Sequence, residues 1–468
     1  MAGLGITGLI GSNWQPDTRK PFPQTHQQKF NMSGYAAPKV DPVRIGIIGL
    51  GNRGSGTVMR LGAIEGVEIR ALCDLNPEKV SRAKESIQSL GHKPDSYSGG
   101  EHEWKKVCER NDIDLIAVVT PWDLHTPMCV YAMEHDKHAY TELPAACTIE
   151  DCWKLVETSE RTRKHCVQMS MSCHGYGDYD KYNMDVVLNM ARKGFFGDLI
   201  HAEGAYIHDM LIDYLFSKTT YPGQWRLKEN IGVHGNLYPN HGFVPIIQMM
   251  DINYGDQMEY MVSLSSNDFR MAGMADHLAA GDDFWAPYVD MPYRGNINTS
   301  IIKTHQGRSI MLQHDTSSIR PDLRFNILSG SRAIYKEGTY SESSKIATSH
   351  EGWLPDEEFR ELLKKYAPEL KKAFIELYNQ STVRADRSYA RVSPTDWRLI
   401  DCLRTGLPMD MDVYEAATSS CIIPLSIWSV ATRSGSVDVP DFTSGSWKTN
   451  ERAMDINLER GQGDTKLI

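Results

Sequence analysis

Nowhere in the chain's 468 residues do five lysines or arginines run together, and the formal net charge is −10. The electrostatic footprint of a nucleic-acid-binding surface is therefore missing. No uninterrupted apolar run reaches the ~18 residues that a membrane-spanning helix needs. The nine cysteines include no CxxC pair, which argues against a structural zinc site and, their number being odd, against a disulfide framework. Most sit in apolar runs such as Pro127-Met128-Cys129-Val130, as small buried hydrophobes do. HExxH is absent too, so His208, Asp209, His234 and His241 form no compact metal motif and no metal is expected. There is no internal repeat. What remains is a globular mixture, 41% hydrophobic and 24% charged, long enough for two to three domains acting on small molecules.

Residues 1–42 stand apart as a leader or extended arm. Met1 to Ser12 is Gly-rich and weakly apolar, like the end of a secretory hydrophobic segment without its basic start. The stretch from Trp14 to Pro42 carries Pro, Gln and Asn without periodicity. An exported, periplasmic bacterial protein is the expectation, with a cytoplasmic arm as the alternative.

Organised sequence opens at Val43. Val43 to Ile48 is a β-rich apolar run that leads straight into Gly49-Leu50-Gly51-Asn52-Arg53-Gly54, a complete GxGxxG. A helical stretch to Ile64 and a second strand, Val67 to Asp74, complete the unit. Gly49 allows the tight turn, Gly51 lets backbone amides approach a pyrophosphate, and Gly54 lets the helix pack on the strand. Asp74 suits a ribose diol and repels a 2′-phosphate, so NAD is expected over NADP. Further βα alternation follows. Helices are expected at Pro77–Leu90, Leu124–Glu134 and Ile149–Arg163, and strands at Asp114–Val119, His138–Glu142 and Cys166–Met169. The fold class is α/β: a Rossmann, doubly wound parallel sheet over 43–169, then a C-terminal α+β domain over 170–400 with an open, largely antiparallel sheet. Residues 401–468 are expected as helices and tail packing back on the body. Single helices are expected at Asp356–Leu377 within the second domain and at Val413–Arg433 after it. Ligands of doubly wound sheets sit beyond the strands' carboxyl ends, where Trp122, His125 and Glu142 fall; all three are expected to face the cofactor.

Strand-GxGxxG-strand-Asp followed by Glu142-Leu143-Pro144 resembles the glucose–fructose oxidoreductase and inositol dehydrogenase superfamily, in which Glu-Lys-Pro is usual and the lysine assists hydride transfer. Leu143 replaces that lysine. A narrower resemblance covers nearly all of Val43 to Trp447. Trp122-Asp123-Leu124-His125, Tyr206-Ile207-His208-Asp209, Trp225-Arg226, Leu237-Tyr238-Pro239-Asn240-His241-Gly242, His314-Asp315-Thr316-Ser317 and Pro440-Asp441-Phe442 occur in order. The series resembles glycoside hydrolase family 109, the NAD-dependent α-N-acetylgalactosaminidases. Asp322 stands where that family usually has a tyrosine after Arg-Pro.

The resemblance implies glycoside hydrolysis by a redox route. NAD oxidises the sugar C3 hydroxyl, a base takes the acidified C2 proton, the C1 substituent is eliminated, water adds and C3 is reduced again. It implies tightly bound, recycled NAD held by Gly49, Gly51, Asn52, Arg53, Gly54, Asp74, Trp122, His125, Glu142 and Leu143. His241 would take the C3 hydroxyl proton. Tyr176 is the first choice for the C2 base, with Tyr179 or Tyr182 as alternatives in a lengthened segment. Glu142 would bind the nicotinamide ribose or share in proton movement. Tyr206, Arg226, Tyr238 and His241 would hold a sugar or glycan substrate, in a chain expected to be a homo-oligomer. The rival reading is an NAD-dependent sugar dehydrogenase of the same superfamily.

Overall fold

The computed structural model describes residue 22 and residues 26–169, 183–321, 324–338, 342–381 and 392–468. Its first six strands are β1 (Val43–Ile48), β2 (Val67–Asp74), β3 (Asp95–Ser98), β4 (Leu115–Val118), β5 (His138–Thr141) and β6 (Cys166–Gln168). All pair in parallel, in the order β3-β2-β1-β4-β5-β6. The central strands are short apolar runs buried along their length, as strands covered by helices on both faces must be. The helices between them are α1 (Asn52–Gly62), α2 (Pro77–Ser86), α3 (Glu103–Cys108), α4 (His125–Glu134) and α5 (Ile149–Thr162). Asn76 and Thr148 cap α2 and α5 by accepting from Glu78 N and Asp151 N. The helix expected to reach Leu90 ends at Ser86, and a 3₁₀ turn over Gln88–Leu90 closes on left-handed Gly91. The strand order reverses at β1 and β4, which creates the crevice where doubly wound sheets bind ligands.

The second sheet has eight strands. They are β7 (Leu199–Ile207), β8 (Met258–Ser265), β9 (Ile297–Thr304), β10 (Ser309–Asp315), β11 (Arg324–Gly330), β12 (Ile334–Lys336), β13 (Lys345–Ala347) and β14 (Val437–Asp438). Their order is β13-β12-β11-β7-β10-β9-β8-β14, antiparallel except for the parallel β7/β10 pair. The helices are α6 (Met184–Arg192), α7 (Trp225–Lys228), α8 (Asn240–Met249), α9 (Met271–Ala279), α10 (Asp356–Lys365), α11 (Glu369–Gln380), α12 (Pro394–Thr405), α13 (Val413–Ser420) and α14 (Ile422–Ala431). The single helix expected over Asp356–Leu377 is two, because Pro368 has no N–H to continue α10 and stands instead at the N-cap of α11. Val413–Arg433 likewise divides into α13 and α14 at Cys421, three residues before Pro424.

Helix α8 packs on β7, β10 and β11, and α14 on β8. The approach of α8 to β7 depends on two glycines. A Cβ on Gly204 would lie 2.3 Å from Gly242 O, and one on Gly242 would lie 2.5 Å from Ala205 N. The other face of the sheet is open and carries exposed Leu264 and Ile301. Helix α12 is pinned to the first domain. Asp396 accepts from Arg60 Nε and Tyr140 Oη, both at 2.8 Å, and Ser393 caps the helix through Asp396 N.

Where α13 starts, Asp412 accepts from Tyr414 N and Glu415 N, and Tyr254 Oη donates to Glu415 at 2.5 Å and lies 3.3 Å from Asp412. Glu415 is wholly buried, and its second oxygen has no partner among the described residues. Burial pushes Asp412 up to about 6. Burial and the neighbouring Asp412 raise Glu415 well above the ordinary range. Between the ordinary and raised values the folded chain binds more protons than the unfolded one, so stability falls as pH rises through that window. Glu415→Gln is therefore expected to add about 1–3 kcal/mol at neutral pH. It should also flatten the pH slope, as read by urea unfolding at mildly acidic and neutral pH.

Candidate active site

The glycine turn after β1 has the geometry of a phosphate cradle. Gly49 has φ +90°, and a Cβ there would meet Val119 O at 2.4 Å. A Cβ on Gly54 would meet Gly49 O at 2.0 Å, whereas nothing lies within 4 Å of one on Gly51. That open ground, in front of a helix whose N-terminus has no side-chain cap, is where backbone amides take a pyrophosphate. Asp74 at the end of β2 accepts from Leu50 N at 2.7 Å and from Asn76 N at 2.9 Å. The turn thus fixes its carboxylate, and lone pairs remain for a ribose diol. These residues fit NAD. Arg53 Nε donates to Glu142 Oε1 at 3.0 Å, which ties the turn to the segment after β5. Leu143 N donates to the other oxygen of Glu142.

His125 departs from the expectation that it faces the cofactor. Its ring is wholly buried, with Nδ1 2.7 Å from Pro144 O and Nε2 2.8 Å from Thr120 O. As the first residue of α4 it turns inward and clamps the end of β4 to the Glu142–Pro144 segment. It positions the cleft wall and presents no free nitrogen. Trp122 and Leu143, also expected at the cofactor, are buried in one apolar cluster with Tyr206, Met210, Leu211, Leu215 and Tyr238 of the second domain.

Around that cluster the chain assembles a polar and aromatic pocket. The Gly204–Gly242 contact sets the N-terminal turn of α8 against the end of β7, bringing His241 over Tyr206 with ring centroids 5.2 Å apart and 21° between planes. Tyr238 meets Tyr206 at 5.0 Å and His241 at 5.1 Å, edge-on to both. Trp122 stacks on Tyr238 at 5.5 Å and 14°. The Arg226 guanidinium lies 5.0 Å from the Trp122 ring, 5.0 Å from Tyr238 and 5.4 Å from Tyr221. It donates to Tyr221 Oη at 2.7 Å. Trp225 meets Trp122 and Tyr221 edge-on, as a packing residue does. His241, Tyr206, Tyr238 and Arg226, from the end of β7, α7 and the start of α8, therefore share one cluster beside the Rossmann cleft. His241 is the second residue of α8.

Two residues beside the pocket, and the buried carboxyl of Glu229, escaped the sequence reading of the site. Tyr221 supplies the hydroxyl that orients Arg226, and nothing in its local sequence marks it. His314, at the end of β10, lies nearly parallel to Tyr206 (14°), and its buried Nδ1 has no partner among the described residues. Burial, then Arg294 and Arg226, hold it well below the usual imidazole value, so it is a neutral ring. Its motif was legible and its orientation was not. Glu229, just past α7, is pushed up to about 7 by burial and by Asp123. Tyr176, Tyr179, Tyr182 and Asp322 lie outside the described residues. Among the described residues no group of three or more His, Cys, Asp or Glu is placed to hold a metal ion. No helix among them is long and apolar enough to cross a membrane.

Comparison with known proteins agrees with this division of labour. Residues 43–170 match the family described as "Oxidoreductase family, NAD-binding Rossmann fold", and residues 179–449 match "Glycosyl hydrolase 109, C-terminal domain". An alpha-N-acetylgalactosaminidase of Bacteroides fragilis is 41% identical over 431 residues, 91% of this chain and 96% of that protein. A glycosyl hydrolase family 109 protein of Shewanella pealeana is 37% identical over 461 residues, 96% of each. Among solved structures, a levoglucosan dehydrogenase in complex with NADH and levoglucosan superposes with TM-score 0.63 at 14% identity, covering 85% of this chain and 100% of its own. An NAD-binding oxidoreductase from Klebsiella pneumoniae gives 0.60 at 14% identity, covering 85% and 99%. At that identity the likeness is one of fold.

Proposed function

Because this chain belongs to glycosyl hydrolase family 109 and carries an NAD-binding Rossmann half, we propose that it hydrolyses the glycoside of a terminal N-acetylgalactosamine or related hexose by oxidation and elimination, with tightly held NAD recycled in each turnover. The observation that carries this reading is the convergence of His241, Tyr206, Tyr238 and Arg226 in one pocket beside the glycine cradle. Bound NAD supplies the hydride acceptor that oxidises C3 and returns the hydride at the end of the cycle.

The chain's own residues supply the rest. His241 takes the C3 hydroxyl proton as the ketone forms and gives it back on re-reduction. A tyrosine of the 176–182 segment, Tyr176 first and Tyr179 or Tyr182 otherwise, takes the C2 proton. The C2–H electron pair becomes the C1–C2 double bond, and the C1–O pair leaves with the aglycone. Water then adds at C1 and C2 regains a proton. Glu142, held by Arg53 at 3.0 Å, anchors the nicotinamide ribose. Tyr206 and Tyr238 give the sugar an apolar wall, and Arg226 offers a fork of donors to its oxygens. Copies of the chain associate, in this reading, through the open sheet face that exposes Leu264 and Ile301; sedimentation velocity giving a monomer would remove that part.

The test of the route is NMR of a p-nitrophenyl N-acetylgalactosaminide hydrolysed in D₂O without added cofactor. Deuterium at C2 of the product is expected. Hydrolysis with hydrogen fully retained at C2 would favour a direct hydrolytic route. NADH accumulating without glycoside cleavage would favour a dehydrogenase.

A further inference from the structure

Residues 211–224 leave the sugar pocket and reach the cofactor turn. The segment starts with a π-helical turn over Leu211–Leu215 and ends in a 3₁₀ turn over Pro222–Gln224 that feeds α7. Ser217 organises the turn between them. Its Oγ accepts from Thr219 N at 3.4 Å and Thr220 N at 3.2 Å, and Gln224 Nε2 donates to Ser217 O at 3.3 Å. Thr220 Oγ1 lies 2.9 Å from Ser217 Oγ and donates to Asp213 O at 2.8 Å. A segment bound this densely to itself keeps one shape.

It meets the Rossmann domain at two places. On the phosphate side, Asn52 Nδ2 donates to Thr220 O at 3.0 Å, and Asn52 is the first residue of α1, inside the glycine turn. On the side of the Glu142–Pro144 loop, buried Leu211, Leu215 and Phe216 join the apolar cluster that holds Trp122 and Leu143. Leu143 is 3% exposed there; an ammonium in its place would be buried in apolar company without a partner. The glycine turn and the Leu143 loop lie at the carboxyl ends of β1 and β5, on either side of the crevice.

We propose that residues 211–224 form a strap that retains the dinucleotide, so that NAD leaves only when the Asn52–Thr220 hydrogen bond and the packing of Leu211, Leu215 and Phe216 in the cluster that holds Leu143 come apart together. The inference rests on the reading that NAD is resident and recycled. A cofactor restored in every turnover gains nothing by leaving, and a strap supplied by the sugar domain slows its escape without blocking the sugar pocket.

The test measures NAD release from the purified holoenzyme, following NAD retained on the protein against time after gel filtration. The variants are Asn52→Ala, Ser217→Ala and the double variant. Each single change is expected to speed release about 3–10-fold, the loss of one hydrogen bond's net worth. The double variant should be no faster than the larger single one, since both open the same strap. Melting temperatures near the wild-type value would show that the folded protein is being read. Ser217 belongs to the strap and not to the glycine cradle, so wild-type release from Ser217→Ala beside fast release from Asn52→Ala would reduce Asn52 to a direct contact and overturn the strap. Wild-type release from both variants overturns it as well. A wild-type chain that loses its NAD on the gel-filtration column would overturn the resident-cofactor reading beneath it.

Discussion

His241→Ala is expected to lower kcat by about 10²–10⁴-fold while the protein keeps its NAD. Oxidation of a hydroxyl at carbon needs the O–H proton removed as the hydride leaves. Without an acceptor at hydrogen-bond distance the alkoxide would have to form unaided. His241 is placed for this on a rigid support. Its helix α8 cannot shift against β7 without parting Gly204 from Gly242, whose backbones sit too close for a Cβ, and Asn326 Nδ2 donates to Gly242 O at 2.6 Å. The residue lies outside the glycine turn and off Asp74, so the cofactor cradle should survive the change. Single-turnover absorbance at the NADH band, beside assay of protein-bound NAD, separates the two effects. Near-normal turnover would remove His241 from the mechanism.

Arg226→Gln is expected to cost about 10–100-fold in kcat/KM, carried mainly by KM, in keeping with about 1.5–3 kcal/mol for hydrogen bonds to a charged donor. Arg226 is 9% exposed and its guanidinium is held by rings and a phenol: Trp122, Tyr238 and Tyr221 lie around it, and Tyr221 Oη takes one N–H. Cation–π attraction in such a desolvated box keeps the charge in place. In the proposed reading the other donors of its fork meet the oxygens of the sugar. Arg226→Lys should not restore affinity, because a compact ammonium neither stacks between rings nor presents a planar fork. Calorimetric titration with N-acetylgalactosamine reads binding apart from turnover. Unchanged affinity in both variants would assign Arg226 to packing alone.

Much of the architecture was legible because its determinants are local. Val43 to Asp74 contains its own strand, glycine turn, helix and acid, and each residue type answers a demand made within that stretch. Val43–Ile48 and Val67–Asp74 agree with their expected bounds at both ends. The edge strand Asp95–Ser98 left no mark, since a polar, half-exposed edge has no hydrophobic pattern to detect. Pro368 was visible in the sequence, but helical periodicity on both sides of it disguised a break.

The site divides along the same line. The sequence by itself determined the dinucleotide cradle, the chemical types in the Tyr-Pro-x-His-Gly block and the absence of the lysine at position 143, because these are statements about which groups the chain owns and how closely they are spaced. Only the tertiary structure decided what each group faces. His125 at a strand end turned out to clamp two carbonyls. Leu143 became an apolar contact with the sugar domain, Tyr221 came to hold Arg226, and Thr220 reached the glycine turn at Asn52. Burial, and contacts such as Asn52–Thr220 across 168 residues, depend on how two sheets and their helices close on one another, and no local pattern of residues encodes that.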